Sequence, residues 1–302
     1  MRIATFNLQN LRLRGSRLDG ARDSDMPEDT VPGADALDDE DRRLGAQVIR
    51  DTRADVIALQ EVFDRDTLDH FHDHYLTPLG VTYSYRLCLP GNDGRGLDVA
   101  VMSRLPFAQV QSHADETPRS LGVALPDQPD DEPLFRRDVL KVTIAGLTLF
   151  ICHLKAPYPE TGRTWSIRRA EAQGLRHLVQ RDCPGAGDMW LILGDLNEPV
   201  RSPDRPRVIT VIEDIAVDLL ARLPQPERWS WHNPHLHLYG RPDAMLASPA
   251  LANRYPDAIP DIIREGMGLE AHRNTGPHLA QVGHHRPHAS DHAAVVIEFP
   301  GL

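Results

Sequence analysis

Polar side chains that can bind a metal ion or a phosphate group adjoin several apolar runs of the chain. The stretch "WLILGDLNEP" (190–199) passes from four apolar residues through Gly194 to Asp195 and Asn197. Because side chains of an extended segment alternate between two faces, Asp195 and Asn197 are expected on one side, with Leu196 facing the core. This stretch predicts a buried strand whose polar end is held rigidly.

Other apolar runs meet polar residues in the same manner. These residues are Asn7, Gln60, Glu61, His153, Asp243, Asp291 and His292. Each one alone has an ordinary structural explanation, as a turn residue, a helix cap or a structural ion pair. Together they form a set of oxygen ligands and two histidines without a thiolate, which favours Mg²⁺ or Mn²⁺ over zinc.

The elements that must position these residues can be predicted from hydrophobic periodicity. Strands are predicted at 2–7, 55–61, 81–87, 97–102, 189–193, 244–247 and 293–299, with a hairpin over 138–153 that turns at 145–146. Helices are predicted at 44–53, 66–75 and 164–180. Because several neighbouring strands have no helix between them, we expect a mixed α/β (α+β) fold in which sheets pack together with helices outside.

Composition limits the class of protein. The net charge of −11 argues against broad nonspecific adhesion to nucleic acid, which requires Lys and Arg, but permits a bound cation at one site. The longest nearly apolar run, 142–152, is too short to span a bilayer, and no secretory signal is visible. The three cysteines share no metal-binding spacing, so we expect a cytoplasmic protein. No break in composition divides the chain, which predicts a single domain over 1–302.

The motifs taken together resemble one known family. They are "ATFNLQN", "DVIALQEV", "LDVAVMSR", "ICHLKAP", "LILGDLNE", "RPDAMLAS" and "SDHAAVVIEF", in this order along nearly the whole chain. This combination is similar to the endonuclease/exonuclease/phosphatase (deoxyribonuclease I-like) superfamily. The resemblance implies a four-layer sandwich of two β-sheets between helices, and a metal-dependent phosphoesterase.

The resemblance also implies a metal-binding group and a water-activating group. Glu61 is expected to be the principal metal ligand, with Asn7 beside it and Asp291 at the same or a second metal position. Asp195 is expected to orient or deprotonate the attacking water. A carboxylate can supply the base, and a Mg²⁺ or Mn²⁺ ion relieves the charge that develops on the phosphate.

The remaining matching residues are expected to hold the phosphate group. By the resemblance, Asn197 and His153 each bind a phosphate oxygen, and His292 contacts the scissile phosphate while Asp243 orients it. Gln9 departs from the pattern, because some members carry an acidic metal ligand at this position. The departure weakens the case for a second tightly bound metal ion.

Two further residues have less specific matches. Arg137 in "FRRDVLKV" corresponds to a phosphate-contacting arginine of some members, or is an exposed arginine at the start of a strand. Asp98 in "GRGLDVAVMS" is expected to orient His153, or to pair with Arg95 or Arg104 as a strand-edge residue.

Two long segments interrupt the pattern. Residues 14–43 are polar and acidic and form either a solvated insertion or a rim over the site. Residues 252–288 contain several histidines, namely His272, His278, His284, His285 and His288. We interpret them as a polar loop, with extra metal binding as the alternative.

The leading functional hypothesis is a metal-dependent phosphodiesterase, with nuclease activity first and nucleic acid as its partner. The alternatives are hydrolysis of small-molecule or lipid phosphodiesters or phosphomonoesters, and a binding or scaffold protein on an inactive fold. The set of site residues that match the family is complete, which argues against the scaffold hypothesis. We expect a monomer without a membrane span.

Overall fold

The strands form two large sheets and two small hairpins. The computed structural model describes residues 1–23, 26–125, 128–158, 161–198 and 205–302. The strands in chain order are β1 (Arg2–Leu11), β2 (Leu13–Arg14), β3 (Arg17–Leu18), β4 (Val56–Val62), β5 (Tyr85–Cys88), β6 (Asp98–Ser103), β7 (Gln109–Gln111), β8 (Val139–Ile144), β9 (Leu147–His153), β10 (Trp190–Asp195), β11 (Val217–Asp218), β12 (Trp231–Asn233), β13 (Leu238–Gly240), β14 (Asp243–Ala247), β15 (Asp261–Ile263) and β16 (Ala294–Glu298).

Both large sheets mix parallel and antiparallel pairing. Within the described ranges, the first sheet has the order β15–β16–β1–β4–β6–β5, and the second has the order β11–β14–β10–β9–β8–β7. β1 runs parallel to β4 and antiparallel to β16, while β10 runs parallel to β9 and antiparallel to β14. The ends of β1, β4, β9 and β10 therefore lie at the same sheet edges as the starts of β14 and β16.

Helices cover the outer face of each sheet. They are α1 (Pro27–Thr30), α2 (Asp38–Thr52), α3 (Arg65–Phe71), α4 (Pro118–Leu121), α5 (Gly162–Asp182) and α6 (Pro249–Arg254). Single turns of 3-10 or π helix lie at Ala34–Leu37, His72–Leu76, Thr77–Leu79, Val208–Val211, Leu219–Arg222 and Gln225–Glu227. α2 and α3 pack on the first sheet and α5 packs on the second. Among the described residues, no helix combines the length and apolar character needed to cross a membrane.

The main core lies between the two sheets. Val101 of the first sheet and Leu149 and Leu193 of the second are all 0% exposed and belong to one apolar cluster. Burying a side chain of this size stabilises the fold by about 1.5–3 kcal/mol. The layers are therefore helix, sheet, sheet and helix, which confirms the predicted four-layer sandwich.

The predicted hairpin and most of the predicted strands and helices are present, although their first and last residues differ from the prediction. The strand predicted at 81–87 is paired in the sheet only over Tyr85–Cys88. The residues before Tyr85 lie instead next to the helical turn that follows α3. The backbone N–H of Tyr83 donates to Nε2 of His72 (3.0 Å), and its hydroxyl donates to the carbonyl of Ala54 (3.1 Å). The apolar residues of this segment are thus buried against a helix and not paired in the sheet.

The segment 14–43 contains more structure than its composition predicts. It includes β3, α1 and the start of α2, while residues 24–25 lie outside the described ranges. Arg42 is fully buried and donates to the carbonyls of Leu8 (2.6 Å) and Gln9 (2.8 Å). The interpretation as a solvated insertion is therefore wrong for this part, because a buried guanidinium joins it to β1.

Candidate active site

At one edge of the sheets, polar residues follow the apolar residues whose side chains face the core between the two sheets. In β10, Leu191 and Leu193 face the first sheet, and Asp195 follows with the same two-residue period. Asp243 of β14 pairs with Asp195 on one side, and His153 of β9 pairs with it on the other. Three polar side chains therefore meet where the apolar core ends.

The Asn7 amide connects the two sheets. Its Nδ2 donates to Oδ2 of Asp195 (3.1 Å) and to Oε1 of Glu61 (3.2 Å), while its Oδ1 accepts from the N–H of Gln9 (2.9 Å). The N–H of Asn10 donates to the other Glu61 oxygen (2.9 Å). In this arrangement Asn7 joins the carboxylates of Asp195 and Glu61, and its contact with a metal ion stays a prediction.

His292 and Asp243 form the predicted pair. Nδ1 of His292 lies 2.9 Å from Oδ2 of Asp243, which also accepts a hydrogen bond from Ser230 (2.6 Å). Nε2 of His292 lies 3.8 Å from Oδ2 of Asp195. Burial lowers the pKa of His292, but the negative charges of Asp243 and Asp291 outweigh it and raise the pKa well above its ordinary value. The ring is therefore an imidazolium at neutral pH.

His153 has the opposite protonation state. Its Nε2 lies 3.5 Å from Oδ2 of Asp195, and its buried Nδ1 has no hydrogen-bond partner in the described part of the chain. Burial lowers the pKa of His153 well below its ordinary value, and the positive charges of Arg137 and His292 lower it further. A neutral imidazole with a free nitrogen can hold a substrate oxygen.

Asp195 lies at the centre of this group and is 2% exposed. Burial raises the pKa of its carboxyl to about 6, with the imidazolium of His292 opposing that shift and the charge of Asp243 adding to it. The N–H of Asn197 donates to Oδ1 (2.8 Å). Asp195 is therefore ionised at neutral pH, and its pKa lies closer to the working pH of a general base than that of an exposed aspartate.

Asn197 reaches the site by a different path from the predicted one. β10 ends at Asp195, and Asn197 adopts a left-handed backbone with φ +51°. Its Nδ2 donates to the carbonyl of Leu154 (3.0 Å). The extended backbone predicted at Asn197 is absent because the strand has already ended, but Asp195 and Asn197 line the same cleft and Leu196 faces the core, as expected.

Three further residues beside the site have left-handed backbones. Gln9, Asn10 and Glu61 have φ values of +46°, +59° and +63°. Such conformations cost about 1–3 kcal/mol each outside glycine and persist only where neighbouring contacts enforce them. They coincide with a register shift between β1 and β4. Because of this shift, the side chain of Glu61 points into the cleft. The side chain of Gln60 faces the space between the sheets, like alternate apolar residues before it.

Asp291 is held at the same edge by two residues from distant parts of the chain. Its Oδ2 accepts from the indole N–H of Trp231 (2.8 Å), and its N–H donates to Oε1 of Gln9 (3.0 Å). Gln9, which departs from the family pattern, therefore supports Asp291. Asp291 and Glu61 line the same cleft.

This donor set fits a divalent cation. Glu61 and Asp291 present carboxylate oxygens, which suit Mg²⁺ or Mn²⁺, and no cysteine lines the cleft among the described residues. The nearby carboxylates of Asp195 and Asp243 concentrate further negative charge there. A cation would offset this charge.

Arg137 is buried, which contradicts the interpretation as an exposed arginine. It is 3% exposed, and Nη1 donates to the carbonyl of Leu154 (3.1 Å). Its Nε lies 3.0 Å from a carboxylate oxygen of Asp93. Arg137 lines the cleft next to His153.

Asp98 does not orient His153. Its Oδ1 accepts from the N–H of Gly91 (2.9 Å), and burial raises the pKa of Asp98 to about 6. The alternative partners are also taken, since Arg95 pairs with Asp93 (3.0 Å) and Arg104 lies 3.7 Å from Asp55. Both expectations for Asp98 are therefore wrong, and it instead fixes the loop before β6.

The site opens into a cleft of about 840 Å³. Its wall carries the guanidinium groups of Arg22, Arg95 and Arg137 together with the carboxylates of Asp23, Glu61, Asp195, Glu198 and Asp291. Three apolar side chains on its wall are exposed, Tyr158 by 74%, Leu236 by 59% and Leu238 by 36%. Arg22 belongs to the segment 14–43, so this segment forms part of the rim.

Comparison with known proteins identifies the family. The model of the endonuclease/exonuclease/phosphatase family matches residues 4–292. An AP endonuclease from Archaeoglobus fulgidus is 19% identical, with 99% of each chain covered and a TM-score of 0.61. Truncated TDP2 from Caenorhabditis elegans is 15% identical, with 98% of this chain and 96% of that chain covered and a TM-score of 0.56. An endonuclease/exonuclease/phosphatase from Beutenbergia cavernae is 21% identical, with 98% and 70% covered and a TM-score of 0.57. No curated protein matches the chain.

The chain belongs to the endonuclease/exonuclease/phosphatase family, whose members are hydrolases that act on phosphoester bonds. The fold is the deoxyribonuclease I-like sandwich that the motifs predicted.

Sequence reasoning missed Ser230, Trp231 and Asn10. Ser230 and Trp231 contact Asp243 and Asp291 from a segment outside the matching motifs. The two tryptophans of "WSWHN" in a polar region were the available signal. Asn10 contributes through its backbone N–H, which no residue type reveals.

Proposed function

We propose that this chain is a divalent-metal-dependent phosphodiesterase of the nuclease type. The proposal rests on the group of side-chain nitrogens that surround the carboxylate of Asp195. Its Oδ2 lies 3.1 Å from Nδ2 of Asn7, 3.5 Å from Nε2 of His153 and 3.8 Å from Nε2 of His292. These nitrogens come from separate segments, and such a cluster around one buried carboxylate can hold a water molecule and an anionic phosphate together.

The roles follow from the protonation states. Glu61 and Asp291 would hold the metal ion, which when bound offsets the phosphate charge. Asp195 accepts the proton of the attacking water. The imidazolium of His292, oriented by Asp243, donates a hydrogen bond or a proton to the phosphate.

Neutral groups and one cation hold the remaining phosphate oxygens. His153 and Asn197 line the cleft, and Arg137 lies beside them. Asn7 keeps Asp195 and Glu61 at a fixed separation. We assign these roles to a single domain over 1–302, because β1 and β16 from the two ends of the chain pair in one sheet.

A nucleic-acid substrate is supported by the cleft. Exposed Tyr158 offers a surface on which a base can stack, and Arg22 and Arg95 line the cleft, where they can contact phosphates of the nucleic-acid backbone. The related structures include an AP endonuclease. We propose that the protein acts as a monomer, since the groups assigned above come from one chain.

The test is hydrolysis of supercoiled plasmid DNA and of bis(p-nitrophenyl) phosphate with Mg²⁺, Mn²⁺ or EDTA. Asp195→Asn is expected to lower the rate by about 10²–10⁴-fold, since it removes the general base. Asp131→Asn, at an exposed carboxylate, is the control and should retain the wild-type rate. Circular dichroism verifies that both variants are folded.

The outcomes separate the hypotheses. Metal-dependent nicking that Asp195→Asn abolishes supports the nuclease. Cleavage of the small diester with intact plasmid would replace it with a small-molecule or lipid diesterase. No metal-dependent hydrolysis of either substrate by the folded wild-type protein would contradict the proposal and favour the scaffold.

A further inference from the structure

A second group of metal-binding side chains lies outside the proposed active site. Glu270, His285 and His288 each offer one ligand atom, and these atoms all lie within 4.8 Å of one another. Glu270 and His285 are partly buried and His288 is 3% exposed. They belong to the histidine-rich segment that the sequence analysis interpreted as a polar loop.

Outer partners orient both imidazole rings. Nε2 of His285 lies 2.9 Å from Oδ2 of Asp29, and Nε2 of His288 lies 3.0 Å from the carbonyl of Ala21. A carboxylate or carbonyl on one ring nitrogen is the usual way in which proteins aim the other nitrogen at a metal ion. Nδ1 of His285 indeed faces Oε1 of Glu270, at 3.6 Å.

Two polar atoms of the group are buried without a partner. They are Nδ1 of His285 and Oε2 of Glu270, neither of which forms a hydrogen bond within the described residues. An unpaired buried polar atom costs about 1–3 kcal/mol, so a native structure usually supplies it with a partner. A cavity of about 10 Å³, the size of one water molecule or ion, is lined by all three residues.

The local charge favours a cation. Carboxylate oxygens of Asp29 and Glu270 face the two ring nitrogens of His285, at 2.9 Å and 3.6 Å. The cavity is also lined by Asp23 and Asp291. Carboxylates thus surround the group on more than one side.

We propose that Glu270, His285 and His288 bind a divalent transition-metal ion, with Zn²⁺ as the best match. Two imidazoles and one carboxylate are a common zinc ligand set, with water in the fourth position. Mg²⁺ fits this group poorly because it prefers oxygen ligands throughout. The site is therefore chemically distinct from the carboxylate pair of Glu61 and Asp291.

The ion would join the two long segments next to the active site. The ligands come from one segment, and their outer partners, Asp29 and Ala21, come from the other. Oε1 of Gln9 lies 3.1 Å from Nε2 of His288 and accepts from the N–H of Asp291. The zinc site thus supports the position of Asp291, although its existence does not depend on the proposed hydrolysis.

The experiment measures Zn²⁺ binding by the full chain after chelator treatment, with isothermal titration calorimetry and metal analysis. All proteins carry Glu61→Gln, which removes the main ligand of the other site. We expect this background to bind one equivalent of Zn²⁺. Adding Glu270→Gln is expected to weaken binding by more than about 100-fold, which exceeds the loss caused by an outer-shell partner. Equal metal-free unfolding temperatures verify that the variants are folded.

Unchanged Zn²⁺ binding in the Glu270→Gln protein would overturn the proposal, as would no binding in the background. A second measurement requires no variant. Crystals of the wild-type chain grown with ZnCl₂ should give an anomalous scattering peak between the three side chains. Without that peak, the group is an ion pair of His285 with Asp29 and Glu270 only.

Discussion

At the residue scale, the main feature is the contrast between two histidines on either side of one aspartate. His292 contacts Asp243 and has a raised pKa, whereas His153 lacks a carboxylate on its Nδ1 and has a lowered pKa. One ring can donate a proton and the other remains neutral. The surroundings of each ring, and not its residue type, determine this difference.

The pKa of Asp195 predicts the pH dependence of hydrolysis. Burial raises this pKa to about 6, and only the ionised carboxylate can accept a proton from water. The value of kcat/KM should therefore rise with pH through about 6. The measurement is kcat/KM for bis(p-nitrophenyl) phosphate from about pH 5 to pH 9 at fixed metal concentration. A flat profile below pH 7 would contradict the role of Asp195.

At the element scale, the strands that hold the site could be predicted because their apolar runs are long and end in motif residues. Asp195 and Asp243 were placed correctly at the ends of β10 and β14. The backbone conformation of Asn197 could not be predicted, since its left-handed φ of +51° depends on contacts formed after the strand has ended. Periodicity describes regular elements and contains no information on such turns.

The segment 14–43 could not be predicted for a different reason. Its acidic residues are typical of a solvated region, but Asp29 and Asp41 pair with Arg286 from the far end of the chain. Local composition does not reveal a partner more than 240 residues away. The contacts of Asp98 and Arg137 depend in the same way on loops that the motifs do not include.

Gly194 shows how closely two strands meet beneath the site. Its φ is +136°, and a Cβ atom built there would lie 2.0 Å from the carbonyl oxygen of Cys152 on β9. Gly194→Ala is therefore expected to lower the free energy of unfolding by about 3 kcal/mol, through backbone strain and overpacking. Chemical denaturation measures this loss. Gly187→Ala, where nothing lies within 4 Å of the added Cβ, is the control. Equal stability of the two variants would contradict the explanation.

At the scale of the whole molecule, two kinds of interaction hold different parts together. The sandwich depends on apolar burial between sheets and under helices. The two long segments beside the cleft depend on buried charge. The guanidinium of Arg286 is 3% exposed and lies 2.8 Å from Asp41, 2.9 Å from Asp38 and 3.4 Å from Asp29. Arg286 thus shares its charge among several carboxylates that are almost inaccessible to water, and Arg22 and His285 pair with two of them.

Removing this cation should destabilise the protein far more than removing a surface charge. Arg286→Ala removes the buried cation that Asp29, Asp38 and Asp41 share, so the free energy of unfolding should fall by about 3–5 kcal/mol. Arg43→Ala, which breaks an exposed pair with Asp39, should cost at most about 1 kcal/mol. Guanidinium denaturation of both variants measures the difference. If the two losses are equal, the Arg286 cluster is screened by solvent like any surface pair, and buried charge does not hold the two segments to the sandwich.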